Sequence, residues 1–385
     1  MQTFDFDRPA GRQGSGCVKW DDIHYDDLIP LWVADMDFAA APCIQQALYR
    51  RWQHGVYGYE HVPERFYRSV MRWFEEEHGW SIAREAIIPV TGLVPSLNAL
   101  FRELVSPGDQ VIVQTPVYNG FLSSFPNNDI ELVANPMVYT DSRYTIDWDD
   151  LEQKAALPKT RMLLFCNPHN PGGRIWTREE LSRVAAICRR HDLLLISDEI
   201  HCEVTPMGIA YTPMGTMDGI KDRLIVFTSP GKGFNLAGLG IANVVVPDGA
   251  LRQRVHHALD RGMVTEVSIF GVTALQAAYD EGKEWLQAVN EYIGANYRFL
   301  CSYIHEHMPR LGVTQLEGTY LAWVNHSAFP YTSAEVEQTL LHQYHVRVSA
   351  GTFYSSDGEG FMRINLACPR AQLEEGLKRM IPIFT

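Results

Sequence analysis

Residues 224–235 read Leu-Ile-Val-Phe-Thr-Ser-Pro-Gly-Lys-Gly-Phe-Asn, an apolar run followed by a turn that presents one lysine. Four consecutive apolar residues predict a buried strand, and Ser-Pro-Gly predicts a turn directly after it. A lysine at the exit of a buried strand loses water, which disfavours the ammonium form and lowers the pKa of its amine. Lys232 is therefore a candidate nucleophile for a Schiff base, although such a pattern taken alone more often marks a solvated surface lysine.

Other apolar runs predict further strands of the same kind, separated by helical patterns such as 64–78 and 177–191. Continuous apolar strands that alternate with helices predict an α/β fold with a largely parallel sheet covered on both faces. Polar residues follow the carboxyl ends of these strands, where open α/β sheets place their ligand sites. The predicted strands are 87–90, 111–114, 161–166, 193–197, 224–227 and 241–246, and the residues expected to converge are Tyr118, Asn170, Asp198, Ser229 and Lys232.

The length of 385 residues exceeds the usual size of a single core, about 250–300 residues, so two domains are expected. Residues 1–45 are irregular and predict an N-terminal arm that wraps over another part of the molecule and belongs in part to the small domain. Residues 46–280 are expected to form the large domain. Residues 281–385, with short strands between helices, are expected to form a smaller α+β C-terminal domain.

Composition excludes several classes of function. The net charge of −13 argues against a nucleic-acid or anionic-membrane surface as the main partner. No apolar run approaches the roughly 18 residues of a membrane span, and the acidic N-terminus does not resemble a signal peptide, so a cytoplasmic protein is expected. Seven scattered cysteines without a CxxC pair predict buried thiols rather than disulfides.

The sequence predicts no metal site. It contains no HExxH motif, and residues 201–203, His-Cys-Glu, form one short cluster without partners at ligand spacing.

An imine between Lys232 and an aldehyde cofactor would need an anion site and a buried carboxylate. The turn at Gly92 and Leu93, between a strand and a helix N-terminus, predicts a phosphate cradle because free backbone N–H groups point outward there, and the Ser229 hydroxyl could add to it. A pyridine nitrogen stays protonated only beside an anion, which Asp198 could supply. The alternatives are a plain strand–helix connection at Gly92 and a helix N-cap at Asp198.

Three further residues have candidate roles in the same chemistry. Asn170 could donate to a phenolate oxygen, or it could be an Asx-turn residue. Tyr118 could stack on a cofactor ring, or it could simply pack. Arg363 interrupts an apolar strand and could bind a substrate carboxylate with both guanidinium nitrogens, or it could form an inter-domain salt bridge.

Together these segments resemble the pyridoxal-phosphate (PLP) enzymes of the aspartate-aminotransferase fold type, nearly end to end. Residues 167–173, Asn-Pro-His-Asn-Pro-Gly-Gly, are similar to the NPxNPTG motif of that superfamily. Residues 197–201, Ser-Asp-Glu-Ile-His, are similar to its DE-I-H motif, and Ser229-x-x-Lys232 is similar to its SxxK motif. The resemblance implies a PLP-dependent transferase-like large domain with a mostly parallel seven-stranded sheet.

Within the superfamily, residues 31–38 (Leu-Trp-Val-Ala-Asp-Met-Asp-Phe), 197–201 and 232–236 resemble the MalY/PatB branch of cystathionine β-lyases. An arginine that binds phosphate in many aminotransferases is Gly240 here, which fits that branch, whereas Gly172 in place of the motif threonine leaves loop geometry open. The roles implied by the resemblance are the imine lysine for Lys232, the pyridinium partner for Asp198, the phenolate-oxygen donor for Asn170, ring stacking for Tyr118, and the carboxylate anchor for Arg363. His201 joins the cofactor-binding residues, Trp32 is a candidate pocket lining, and Tyr59 would reach the phosphate and substrate of the neighbouring subunit in a homodimer with shared active sites.

The resulting hypothesis is a PLP-dependent C–S lyase. It would cleave a sulfur-containing L-amino acid to a thiol, pyruvate and ammonia, with Lys232 as the general base. A class I/II aminotransferase using the same residues is the nearest alternative, since the two reactions share their first steps. A PLP-binding regulatory protein without catalysis is a remote alternative.

Overall fold

The structure is a computed structural model that describes residues 4–23 and 25–385. The first three residues and His24, which belong to the predicted N-terminal arm, lie outside the described residues. The strands are β1 (Ile29–Pro30), β2 (Ile87–Val90), β3 (Gln110–Thr115), β4 (Glu131–Pro136), β5 (Val138–Thr140), β6 (Arg143–Thr145), β7 (Thr160–Cys166), β8 (Leu194–Asp198), β9 (Leu224–Thr228), β10 (Ala242–Val245), β11 (Gly312–Val313), β12 (Leu321–Asn325), β13 (Val346–Arg347), β14 (Ser349–Ala350) and β15 (Phe361–Asn365).

Helices alternate with these strands in the first two thirds of the chain. The α-helices are α1 (Val18–Asp21), α2 (Pro42–His54), α3 (Glu64–His78), α4 (Leu93–Leu104), α5 (Asn119–Ser124), α6 (Trp148–Ala155), α7 (Arg178–Arg190), α8 (Pro230–Gly233), α9 (Gly249–Arg261), α10 (Ile269–Glu281), α11 (Lys283–His307), α12 (Ser333–Tyr344) and α13 (Arg370–Met380). Short 3₁₀ helices lie at Arg84–Ala86, Pro126–Asn128, Met214–Thr216, Lys221–Arg223, Ala237–Leu239, Gly351–Tyr354, Ser356–Gly358 and Ile381–Ile383.

The central sheet has seven strands in the order β2-β10-β9-β8-β7-β3-β4. β10 is antiparallel to both of its neighbours, and the other pairs are parallel, so six strands point the same way. The expectation of an α/β fold with a mostly parallel seven-stranded sheet is therefore confirmed. Because the carboxyl ends of these six strands lie along one edge, the residues that follow them can meet there.

Both faces of this sheet are buried, as the continuous apolar strands require. Along β9, Leu224 and Val226 contribute to one hydrophobic cluster, and Ile225 and Phe227 contribute to the other. This alternation follows from the period of two along a strand. Helices α4 and α9 cover the second cluster.

A second, antiparallel sheet has the order β11-β12-β15-β14 and packs with α12 and α13 near the C-terminus. The N-terminal arm reaches this part of the molecule, because β1 pairs with β13 in parallel. The larger hydrophobic cluster runs from Phe6 to Phe384 and includes residues on both sides of position 281. The division into a large domain, 46–280, and a small one, 281–385, stays a prediction.

Long helices are predicted over roughly 268–308, and the structure has two there, α10 and α11, which meet at Gly282, where a Cβ would lie 2.5 Å from the Ala278 carbonyl oxygen. Two other elements differ from the pattern read in the sequence. The expected strand 346–349 is split into β13 and β14. β4 was missed, because it is a partly exposed edge strand whose polar residues break the apolar run.

Local sequence signals explain several helix ends. Thr177 and Glu180 form the expected capping box at the start of α7, each side chain bonding the backbone N–H of the other residue.

The search of residues 4–23 and 25–385 for a helix long and apolar enough to cross a membrane found none.

Candidate active site

A cavity of about 280 Å³ opens at the carboxyl edge of the central sheet. Its walls come from the residues that follow β2, β3, β7, β8 and β9, and from Ala34 of the N-terminal arm. Its volume lies near the lower end of the range for ligand pockets, about 300 Å³. The predicted site residues that line it are Gly92, Leu93, Tyr118, Asn170, Asp198, His201, Ser229 and Lys232.

Lys232 lies in the short helix α8, which begins directly after β9 and is capped by Ser229. The lysine is half-buried, and its Nζ donates to the backbone carbonyl of Ala34 at 2.7 Å. Burial and the nearby positive charge of Arg363 lower the pKa of Lys232 to about 8, against the opposing effects of Asp35 and Asp198. A solvated surface lysine is therefore excluded, and a substantial fraction of neutral amine exists near neutral pH.

Asp198 is the last residue of β8 and is almost fully buried. One carboxylate oxygen accepts from the backbone N–H of Ile200 at 3.1 Å, while the side chain also lines the cavity. Burial raises the pKa of Asp198 to about 7, against the lowering effects of that N–H and of Lys232. A buried carboxyl group with so little pairing would gain from a cationic N–H group placed in the cavity.

The turn after β2, where an anion cradle is predicted, lies at the cavity wall. Gly92 is extended, and a Cβ built on it would meet nothing within 4 Å, so the cavity wall is open there. Helix α4 begins at Leu93, and the first backbone N–H groups of a helix have no partner within the helix. These N–H groups and the positive end of the helix dipole therefore face the cavity and favour an anion such as phosphate.

The Ser229 hydroxyl is less available to bind a phosphate than expected. It donates to the carbonyl of Ile241 at 2.8 Å and accepts from the N–H of Gly231 at 3.0 Å. It must rotate away from Ile241 to donate to a phosphate. Gly240 also lines the cavity, so no cation stands at the position where many aminotransferases carry arginine.

Arg363 on β15 is 5% exposed and forms no ion pair within the described residues. Its Nη1 donates to Oδ1 of Asn170 at 3.1 Å, its Nη2 donates to the carbonyl of Trp32 at 2.7 Å, and its Nε has no partner. The alternative of an inter-domain salt bridge is therefore not observed. A buried guanidinium without an anion is costly unless a ligand carboxylate joins it.

The hydrogen bond from Arg363 also distinguishes between the two alternatives for Asn170. Its carbonyl oxygen is taken by Arg363, not by a backbone N–H of its own turn, so the Asx-turn alternative is not observed. Its amide group stays available as a donor at the cavity wall.

Tyr118 and His201 complete the cavity. The ring of Tyr118 lies over the backbone of Gly120, where a Cβ would be 2.3 Å from Cε1 of Tyr118, so only glycine fits beneath this ring. His201 is 3% exposed, and its Nδ1 has no partner. Burial and the charges of Lys232 and Arg363 lower its pKa well below the usual value, so its imidazole is neutral.

The N-terminal arm holds the site together through contacts that sequence reasoning missed. Asn235, three residues after Lys232, bonds the backbone of Met36 and Phe38. Asn365, two residues after Arg363, bonds the carbonyls of Val33 and Asp35. Residues 33–38 are thus clamped between the two functional segments, and this places the Ala34 carbonyl at Lys232. The buried Tyr320 hydroxyl donates to the same carbonyl at 2.8 Å.

Three predicted residues, Trp32, Tyr59 and Arg363, do not line the cavity of the single chain, and Arg363 reaches its wall through the hydrogen bond to Asn170. Trp32 is half-buried and contacts Arg363 through its backbone carbonyl, while its ring lies under the guanidinium of Arg347. Tyr59 is fully exposed and lines a different depression, together with residues 57–62 and 265–270. Their roles toward substrate or a neighbouring subunit stay predictions.

A family model, "Aminotransferase class I and II", matches residues 26–380. The chain therefore belongs to the class I and II aminotransferase family, as the fold and the lysine–aspartate–arginine arrangement indicate.

Curated relatives are similar over almost their whole length. The chain is 35% identical over 381 residues to cystathionine beta-lyase PatB of Bacillus subtilis, covering 98% of each chain. It is 30% identical over 384 residues to protein MalY of Escherichia coli, again covering 98% of each. Among solved structures, cystalysin from Treponema denticola, which contains a pyridoxal 5'-phosphate cofactor, matches with a TM-score of 0.96 and 31% identity, covering 99% of this chain and 98% of that one.

Proposed function

We propose that the protein is a PLP-dependent carbon–sulfur lyase that releases a thiol, pyruvate and ammonia from a sulfur-containing L-amino acid. Its similarity to cystathionine beta-lyase PatB and to cystalysin supports this activity. The observation that carries the proposal is the combination in one cavity of a lysine with a lowered pKa and a buried carboxyl group with a raised pKa.

The residues present fit the cofactor. The α4 N-terminus at Gly92 and Leu93 would hold the phosphate, Asp198 the pyridinium N–H, and Asn170 and His201 the phenolate oxygen. Tyr118 would cover one face of the ring. When bound, PLP supplies an electron sink that accepts the electron pair released at the substrate Cα.

The chain's own groups bind the substrate and move the proton. Arg363 would bind the α-carboxylate, because its guanidinium is buried, forms no ion pair within residues 4–23 and 25–385, and has a free Nε. Lys232, with its lowered pKa, would take the Cα proton at Nζ. The Ala34 carbonyl would orient that amine through the hydrogen bond seen here. The Cβ–S bond would then break with its electron pair on sulfur, which leaves as a thiolate and takes up a proton to become the thiol. The aminoacrylate released would take up water and give pyruvate and ammonia.

The alternative aminotransferase activity is supported by the family model and by the aminotransferases among the chain's relatives and structural neighbours. The two activities differ in where the proton goes after it leaves Cα, and both use Lys232. A panel of cysteine thioethers, assayed for pyruvate and free thiol without an added keto acid, separates them. We expect pyruvate and thiol in equal amounts. Product formation that requires a keto acid would indicate the aminotransferase, and bound cofactor without any turnover would indicate the non-catalytic alternative.

A second measurement tests the attachment point of the cofactor. Reduction of the holoenzyme with borohydride followed by peptide mapping should label the peptide that contains Lys232. A label on another lysine, or no label, would overturn the assignment independently of the substrate.

We further propose a homodimer with shared active sites. The support is a strip of exposed aromatic and apolar side chains on and after α2, which a monomer would leave in water: Tyr49, Trp52, Val56, Tyr57 and Tyr59. Tyr59, fully exposed, would reach the phosphate cradle of the other subunit and so supply a hydroxyl donor where Gly240 offers none.

Mixing two inactive variants tests the sharing. Lys232→Ala and Tyr59→Ala subunits should form mixed dimers in which one site carries both changes and the other carries neither. Random exchange should then restore about a quarter of the wild-type activity. A mixture as inactive as its parents, after dimer exchange has been verified, would show that each site uses one subunit only.

A cytoplasmic location is proposed with the lyase. The support is that all seven cysteines are free, as expected in a reducing compartment.

A further inference from the structure

A second group of chemically reactive side chains lies outside the active-site cavity. His78 at the end of α3 meets Cys202 and Glu203, which follow the active-site residue His201. His78 Nε2 is 3.2 Å from Oε1 of Glu203, and Cys202 Sγ is 3.5 Å from the same oxygen. One ligand atom from each residue lies within 4.8 Å of the others. Sequence reasoning treated residues 201–203 as a cluster without a partner, because His78 is far away in the chain.

These separations suit a tetrahedral ion. Zinc lies about 2.0–2.1 Å from a histidine nitrogen, 2.0–2.2 Å from a carboxylate oxygen and 2.3 Å from a cysteine sulfur. Atoms bound at those lengths in a tetrahedron are roughly 3.3–3.6 Å apart. The nitrogen–oxygen and sulfur–oxygen separations are close to this geometry, so an ion would draw His78 and Cys202 together. It would share Oε1 of Glu203 with the indole N–H of Trp73, which donates to that oxygen at 2.7 Å.

Cys202 and Glu203 are almost fully buried, so an ion held by them would be largely shielded from water.

The surroundings offer a fourth position. A cavity of about 220 Å³ adjoins the cluster and is lined by His78, Cys202 and Glu203 themselves. The hydroxyl of Tyr279, whose ring stacks on the cavity-lining Trp73, is also buried without a hydrogen-bond partner. A water on the ion could occupy part of this cavity.

We propose that His78, Cys202 and Glu203 form a binding site for a zinc-like divalent ion, with water as the fourth ligand. Mixed nitrogen, sulfur and oxygen ligands favour zinc over the hard ions magnesium and calcium. The ion would tie the end of α3 to the loop behind Lys232, because a Cβ at Gly233 would lie only 2.5 Å from Cβ of Glu203. It serves as a structural brace and takes no part in the lyase reaction.

The test is zinc binding by the holoenzyme after treatment with a chelator. Equilibrium dialysis should give one tightly bound zinc per chain, and X-ray absorption should show a single sulfur at about 2.3 Å. Cys202→Ser and His78→Gln should each weaken binding by more than about 100-fold, since even the loss of an outer-shell partner costs 10–100-fold. Cys301→Ser, at a half-buried cysteine outside the cluster, is the control and should leave affinity unchanged.

Each result of these measurements either supports the zinc site or contradicts it. Failure to bind zinc, a zinc shell without sulfur, or equal binding by wild type and both variants would overturn the site. The absorption measurement uses the wild-type protein, so it decides even if a variant fails to fold. None of these readouts depends on lyase activity, and failure of the proposed function would leave them unaffected.

Discussion

The molecule contains two groups of buried charged residues, one in the N-terminal arm and one in the active site, and they differ in how well the chain itself pairs them. In the N-terminal arm, Asp37 accepts from Arg12 at 2.8 Å, from Lys19 at 2.7 Å and from the Trp20 indole at 2.9 Å. In the active site, Arg363 forms no ion pair among the described residues, and Asp198 has a single N–H partner in the described hydrogen bonds. The arm charges are satisfied by the chain itself, and the site charges are not.

The pKa directions express the same difference. Burial would raise the pKa of Asp37, but Lys19, Trp20 and Arg12 outweigh burial and lower it. At Asp198 burial prevails and raises the pKa to about 7. Paired buried charges fix the arm in place, whereas unpaired ones leave binding energy for a ligand. Substitutions in the two groups should therefore have opposite consequences.

The largest effect is expected for Lys232→Ala. Loss of both the imine amine and the general base should reduce kcat by at least about 10⁴-fold, the upper range for one acid–base group. The melting temperature of the cofactor-free chain should not fall, since the amine is a half-buried cation whose pKa burial lowers. Pyruvate release and circular dichroism measure the two effects. Wild-type pyruvate release by this variant would show that another group is the base.

Asp37→Asn should act on stability instead. Removing one partner of a buried ion pair leaves Lys19 with only the longer contact to Asp35 at 3.6 Å and should cost about 3 kcal/mol of unfolding free energy. Because the pKa of Asp37 is lowered in the folded state, its stabilising contribution is present at neutral pH and is lost as the pH falls through that lowered value. Denaturant unfolding at pH 7 and pH 3 should therefore show the deficit shrinking in acid.

Asp35→Asn is the matched control, because its side chain is 22% exposed and its loss leaves Asp37 paired with Arg12 and Lys19. Asp35→Asn should lower the unfolding free energy clearly less than Asp37→Asn does. Equal losses of unfolding free energy would show that burial of the ion pair does not determine its contribution to stability.

Arg363→Lys should separate binding from folding. Lysine keeps the charge but loses the planar fork, which removes one charge-assisted hydrogen bond of about 2 kcal/mol to a substrate carboxylate. We expect kcat/KM to fall about 30-fold, mainly through KM, while the melting temperature changes little. An unchanged KM would mean that the carboxylate is bound elsewhere.

Much of this arrangement could be predicted from sequence because its signals are local. The run Leu224–Phe227 predicted a buried strand. Because ligand sites of open α/β sheets lie at the carboxyl ends of the strands, the sequence also predicted that Asp198 and Lys232 meet, although they lie in different segments. The contact of Lys232 with the Ala34 carbonyl could not be predicted, because a backbone atom carries no residue-specific signal. The approach of His78 to Cys202 depends on how α3 packs, which no local pattern encodes.

Asp198→Asn tests the comparison most directly. It removes an under-paired carboxyl group, so it should abolish lyase activity while it raises the unfolding free energy of the cofactor-free chain by about 2 kcal/mol at pH 8. A folded-state pKa near 7, against 3.8 for the ordinary group, means that the folded chain binds an extra proton between pH 4 and 7. Wild-type stability therefore falls as the pH rises through that window, and the advantage of the variant grows with it. Unfolding of both proteins at pH 4.5 and pH 8 measures this. A variant that is less stable than wild type at pH 8 would show that Asp198, like Asp37, is satisfied by the chain itself.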